Sequence, residues 1–126
     1  MARLRLWQKE AHRKMSDDLL RLYEAVRERQ GRDPSDSRTA KLFAAGPKKI
    51  AKKVGEEAVE VALDAMAEDR RGVINESADL LYNISVLWAV LDIHPDDVFA
   101  ELRRRESLYG IAEKPSKLTM APESGE

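Results

Sequence analysis

The sequence predicts an all-α fold, on three observations. Apolar residues recur at three- and four-residue intervals through most of the chain, the period of an amphipathic helix. No stretch has the alternation or the β-branched and aromatic density of a strand. The breakers near Gly31, Pro47 and Pro95 mark the ends of the periodic segments rather than interrupting them.

The first helix is expected from about Trp7 to Arg29, with Leu19, Leu22, Tyr23 and Val26 as its apolar stripe, ending near Gly31. The connection G-R-D-P-S-D-S-R-T-A-K-L-F-A-A-G, Gly31 to Gly46, is rich in breakers and polar groups, and Leu42–Phe43 is its only large apolar pair. It reads as a structured loop, and loops this long are often functional. Pro47 suits the first position of the second helix, which runs to about Ala67. Ile50, Val54, Ala58, Val61 and Ala65 form its stripe. After the short link E-D-R-R-G, the third helix spans about Val73 to Leu91, with Val73, Leu80, Ile84, Leu87 and Leu91 in its stripe. So short a link makes the two helices antiparallel neighbours. Pro95 opens the fourth helix, which carries Val98, Leu102 and Leu108. Asp96 and Asp97 serve the positive end of its dipole better than they serve a metal. The chain thus divides into an extension (1–18), a helical domain (19–110) and a tail (111–126).

Composition removes several function classes. The 126 residues contain no cysteine, so neither a disulfide framework nor a thiolate metal site can form. No apolar run approaches a membrane span, no secretory core is visible at the N-terminus, and a net charge of −1 gives no case for nucleic acid. A soluble, cytoplasmic protein is expected. The charge is unevenly placed. Residues 1–55 hold fifteen basic and seven acidic residues, whereas 56–101 hold two basic and twelve acidic. A basic half facing an acidic, metal-binding half suits a metal-chelated polyphosphate.

The acids have a pattern. The second helix carries G-E-E-A-V-E, giving Glu56, Glu57 and Glu60; the third carries N-E-S-A-D, giving Glu76 and Asp79. Positions three apart share a helix face, so Glu57 pairs with Glu60 and Glu76 with Asp79. Glu57 and Glu76 also fall in the apolar stripes, where an unpaired carboxylate is costly. Four carboxylates converging between antiparallel helices repel one another unless cations fill the space, and oxygen donors suit Mg²⁺, with Mn²⁺ possible. Lys48, Lys49, Lys52 and Lys53 precede the acids on the same helix. They can bind phosphate beside the metal, or pair locally, as Lys52 with Glu56. His12 and His94 lack a second histidine at ligand spacing, and no nucleophile–base triad is present. Tyr82 and Trp88 read as packing residues.

The runs D-P-S-D-S-R-T-A-K-L-F-A-A-G, K-K-V-G-E-E-A-V-E-V, E-S-A-D-L-L-Y and D-D-V-F-A-E-L resemble the phosphoribosyl-ATP pyrophosphatase family of histidine biosynthesis, within the all-α MazG-like nucleoside triphosphate pyrophosphatases. The resemblance covers about Leu19 to Leu108. It implies a four-helix bundle completed by homodimerisation, and Mg²⁺-dependent cleavage of phosphoribosyl-ATP between its α and β phosphates. By the same resemblance Glu57, Glu60, Glu76 and Asp79 are the metal ligands, and Glu56 is a supporting acid and candidate proton acceptor. Thr39, Lys41, Lys49, Lys53 and Asn83 are expected at the substrate. Two positions depart from the pattern: Arg38 stands where many members carry an aromatic residue, and Asn83 where histidine follows D-L-L-Y. These leave open a house-cleaning hydrolase of non-standard nucleoside triphosphates. A catalytically silent helical dimer is the remaining alternative, and the intact acid set argues against it, because without metal such a cluster only destabilises. Apolar positions on the third helix, Leu87, Trp88, Val90 and Leu91, are expected at a dimer interface.

Overall fold

The computed structural model describes residues 17–110. Among them are five helices and no strand: α1 (17–28), α2 (Arg38–Ala45), α3 (Pro47–Met66), α4 (Arg70–Val90) and α5 (Pro95–Tyr109). The expected start of the first helix, most of the 1–18 extension with His12, and the 111–126 tail lie outside the described residues. The structure divides into two compact units at Pro95–Asp96.

The all-α expectation holds, with one helix more than the sequence reading placed. The connection after α1 is a turn only in its first half. There Asp33 Oδ1 accepts from the Ser35 backbone N–H (2.9 Å) and hydroxyl (2.8 Å). Its second half, R-T-A-K-L-F-A-A, contains no breaker and forms α2. Ser37 has extended backbone and caps the helix, its Oγ accepting from Ala40 N–H at 3.0 Å, which satisfies a first-turn donor that would otherwise lack a partner. Ala40 and Leu42 are buried beneath it. Gly46, at φ 94°, turns the chain where a side chain would be strained, and Pro47 starts α3 at once.

α3 ends where the sequence reading put it, within a residue. α4 begins three residues earlier than expected, because Asp69 Oδ1 accepts from Gly72 N–H (2.9 Å) and caps it. The turn between them is only Ala67–Asp69, so α3 and α4 form an antiparallel hairpin, the main helix pairing of this unit.

The core lies at one end of that hairpin. Tyr23 and Val26 of α1, Leu42 of α2, Ile50 of α3, and Val86 and Ala89 of α4 form one buried cluster, flanked by Leu22, Phe43, Tyr82, Leu87, Trp88 and Val90. His94 closes on it edge-to-face with Tyr23, ring centroids 5.3 Å apart. Arg27 reaches across to Asp92 at 3.0 Å.

Two expected stripes are corrected. On α3 Ile50 is buried and Val54 and Val61 are half-buried, but Ala58 and Ala65 are exposed; Lys53, Glu57 and Asp64 take the inward-leaning positions instead. On α4 Val73, Leu80, Ile84 and Leu87 are half-buried, but Leu91 is exposed, and the buried positions are Asn83, Ser85, Val86 and Ala89. The expected interface residues Leu87, Trp88 and Val90 pack on the chain's own core. The exposed apolar side chains lie elsewhere on the hairpin: Val59, Leu63 and Met66 of α3, and Ile74 and Leu81 of α4.

The second unit holds α5 from Asp96 onward. Glu101 bonds Arg104 (2.8 Å) and Arg105 (3.1 Å), and these guanidinium hydrogen bonds hold its carboxyl down at about 2. Asp96 and Asp97 occupy the first turn, at the positive end of the helix dipole.

Candidate active site

The hairpin brings acids from both of its helices to one level. Glu57 stands nine residues before the end of α3, and Glu76 and Asp79 stand six and nine residues into α4. Glu57 and Glu76 are half-buried, Asp79 is exposed, and one oxygen from each lies within 4.8 Å of the other two. The hydrogen bond to Glu57 pushes the Glu76 carboxyl up to about 7; desolvation and the like charges of Glu57, Asp79 and Glu60 act in the same direction. A carboxyl held that high is sharing a proton because its neighbours repel a second charge.

The donor set fits a hard divalent cation. Oxygens bound at about 2.1 Å around one octahedral Mg²⁺ are about 3.0 Å apart when adjacent and about 4.2 Å when opposite, so side-chain adjustments on the order of an ångström would gather the three onto one ion. An ion would also replace the shared proton and relieve the repulsion. Glu60 lies outside the three-oxygen group but near enough for its charge to bear on Glu76. Glu56 is exposed and faces Lys52 at 3.9 Å, the local pair that i, i+4 spacing allows.

N-terminal to the acids, α2 and α3 enclose a basic cleft of about 250 Å³, lined by Arg38, Lys41, Leu42, Ala45, Lys49 and Lys53. Lys41, Lys49 and Lys53, expected at the substrate, thus share one cavity. Lys49, Lys53 and Glu57 follow one another at four-residue steps along α3, so cations run into acids on a single row.

Thr39 and Asn83 are placed differently from the three lysines. The Thr39 hydroxyl is hydrogen-bonded to the Tyr82 hydroxyl at 2.6 Å. Asn83, expected at the substrate, is buried on α4. It is only 1% exposed, and its Nδ2 donates to the Asp79 carbonyl at 2.9 Å. Its Oδ1 is buried and has no hydrogen-bond partner among the described residues.

Two residues of the cleft region are not expected at the substrate from the sequence: Tyr82 reads as a packing residue and Arg38 as a departure bearing on substrate choice. Arg38 places its guanidinium 5.4 Å from the Tyr82 ring centroid, a cation–π contact. Tyr82 in turn is fixed by Thr39. The N-cap serine ahead of Arg38 was the one local signal that this segment is a helix presenting its side chains to a groove.

The comparisons with known proteins show the family of the chain. The family model described as phosphoribosyl-ATP pyrophosphohydrolase matches residues 19–106. Among curated relatives, the chain is 57% identical to "Phosphoribosyl-ATP pyrophosphatase 2" of Rhodopseudomonas palustris over 103 residues, 82% of this chain and 79% of the relative. It is 55% identical to the protein of the same name from Bradyrhizobium diazoefficiens, over 84% of this chain and 79% of that one. It is 50% identical to "Phosphoribosyl-ATP pyrophosphatase" of Gluconobacter oxydans, over 79% of this chain and 74% of that one. The family match spans the acid cluster and the basic cleft alike, and the chain belongs to the phosphoribosyl-ATP pyrophosphohydrolase family.

Proposed function

We infer that this chain hydrolyses phosphoribosyl-ATP between the α and β phosphates, giving phosphoribosyl-AMP and pyrophosphate, a step of histidine biosynthesis in the cytoplasm. The observation that carries this reading is the single row on α3 that runs from cations to a carboxylate cluster, in a chain of this family. Residues 19–110 would form the catalytic domain.

Mg²⁺ is the proposed cofactor, Mn²⁺ a substitute, with Glu57, Glu76 and Asp79 as ligands and Glu60 beside them. When bound, the ion would neutralise the polyphosphate and lower the pKa of the attacking water. The chain's own residues do the rest. Lys53, one turn (about 6 Å) before Glu57, holds the reacting phosphates against the acids. Among the described residues Glu56 lies outside the three-oxygen group and faces Lys52 at 3.9 Å, and it is the proposed proton acceptor. Asn83 fixes the Asp79 backbone and thereby the position of that ligand.

The test is Mg²⁺-dependent pyrophosphate release from phosphoribosyl-ATP, ATP, dUTP and dCTP. Strong preference for phosphoribosyl-ATP is the expected result. Preference for a simple triphosphate would move the protein to nucleotide-pool control.

We also propose a homodimer, through the exposed apolar face of the α3–α4 hairpin rather than through Trp88. That half of the hairpin extends past the core, and Met66 alone is 81% exposed. Burying such side chains contributes roughly 1.5–3 kcal/mol each. Sedimentation should show two chains per particle, and Leu63→Glu should yield monomers. A wild-type monomer would remove the proposal.

A further inference from the structure

The basic cleft holds more than a triphosphate requires. Four cations line it, two from α2 (Arg38 and Lys41) and two from α3 (Lys49 and Lys53). Only Lys53 is a single helical turn from Glu57; Lys49 is two turns from it, about 12 Å along the axis. Leu42 and Ala45 of α2 add an apolar part to the lining of the cleft. A polyphosphate chain offers nothing to an apolar wall. A sugar phosphate does, because it has a C–H face and a dianionic end. At about 250 Å³ the cleft is smaller than the roughly 300–1,000 Å³ of a pocket that encloses a whole ligand, so it takes one part of the substrate.

Arg38 is the cation best prepared to hold that end. Its planar fork can make two parallel hydrogen bonds to one phosphate, which an ammonium cannot. Its guanidinium already stacks on Tyr82, and Tyr82 is held by Thr39, so less side-chain freedom is lost on binding.

We propose that the cleft between α2 and α3 is the subsite for the phosphoribosyl end of the substrate, with Arg38 as its specificity-determining residue. Arg38 and Lys41 hold the phosphate monoester that ATP lacks, Leu42 and Ala45 cover the ribose carbons, and Lys53 stays with the triphosphate. This rests on the proposed reaction.

The experiment compares kcat and KM for phosphoribosyl-ATP and for ATP in the wild type, Arg38→Ala and Arg38→Lys, with ribose 5-phosphate as a competitive inhibitor. Arg38→Ala should lower the ratio of kcat/KM for phosphoribosyl-ATP over ATP by about tenfold or more, through KM, the scale of a lost hydrogen-bonded charge contact. Inhibition by ribose 5-phosphate should weaken in parallel, and Arg38→Lys should fall between. Arg38 is exposed at the first position of α2, so folding should survive; the lysine variant and the inhibitor series carry the test if the alanine variant is unstable. An equal loss for both substrates would give the cleft to the triphosphate and overturn the proposal, as would an unchanged ratio. A wild type without preference for phosphoribosyl-ATP would overturn the proposed reaction, and this subsite with it, before any variant is compared.

Discussion

Glu57→Gln is expected to lower turnover by about a hundredfold or more while leaving the helices intact and the metal-free protein no less stable. The substitution keeps the shape of the side chain and removes one charge from a set of three oxygens gathered within 4.8 Å. Losing one preorganised electrostatic contact at the reacting centre typically costs two to three orders of magnitude in rate, hence "about a hundredfold" as the floor. The stability effect has the opposite sign. Without metal, Glu57 is the group that presses hardest on Glu76, so removing its charge relieves repulsion. Circular dichroism, thermal melting without metal and pyrophosphate release together check this. Normal turnover in the variant would remove Glu57 from the site.

Magnesium is expected to raise the melting temperature, and more at pH 8 than at pH 6. The Glu76 carboxyl titrates near 7 in the folded chain and near its ordinary 4.5 when unfolded. Between those values the folded state keeps a proton that the unfolded state has lost, so metal-free stability falls as pH rises from 4.5 to 7 and levels off above. The cation competes with that proton and binds more weakly below 7. At a metal concentration tenfold above the dissociation constant the stabilisation is about 1.4 kcal/mol. For a domain of this size that shifts melting by roughly 5 °C or more. Glu57→Gln should lose most of this shift. A wild type whose melting ignores Mg²⁺ at both pH values would sink the metal reading and favour a silent helical module.

Much of this arrangement is legible in the chain because it is local. Pro47 and Pro95 announce α3 and α5, and the spacing of Glu57, Glu76 and Asp79 places them on faces that a three-residue turn must bring together. α2 was hidden because Pro34 and Gly46 bracket it so closely that one window averages turn and helix; only the Ser37 cap separates them. The apolar stripes misled on Ala58 and Ala65 because a helix in a hairpin can turn its inner face toward charged groups. Lys53 and Glu57 lean inward on α3, and a rule that counts apolar residues cannot see that. The contact of Arg38 with Tyr82 joins residues more than forty positions apart, and the burial of Asn83 depends on tertiary packing. No local pattern encodes either.

The corner at Gly46–Pro47 divides the molecule's tasks between a ruler and a jaw. On α3 the distance from Lys53 to Glu57 is set by the pitch of one unbroken helix, and no repacking of neighbours can change it. α2 hangs from the other side of the corner on a glycine, and its facing side chains form the opposite lip of the cleft. If the cleft grips the substrate as proposed, changes at the exposed side chains of α2 would resize what is gripped without disturbing the acids on α3. On the proposed subsite, substrate range and chemistry could drift independently, because the side chains that would measure them stand on two helices that part at Gly46–Pro47.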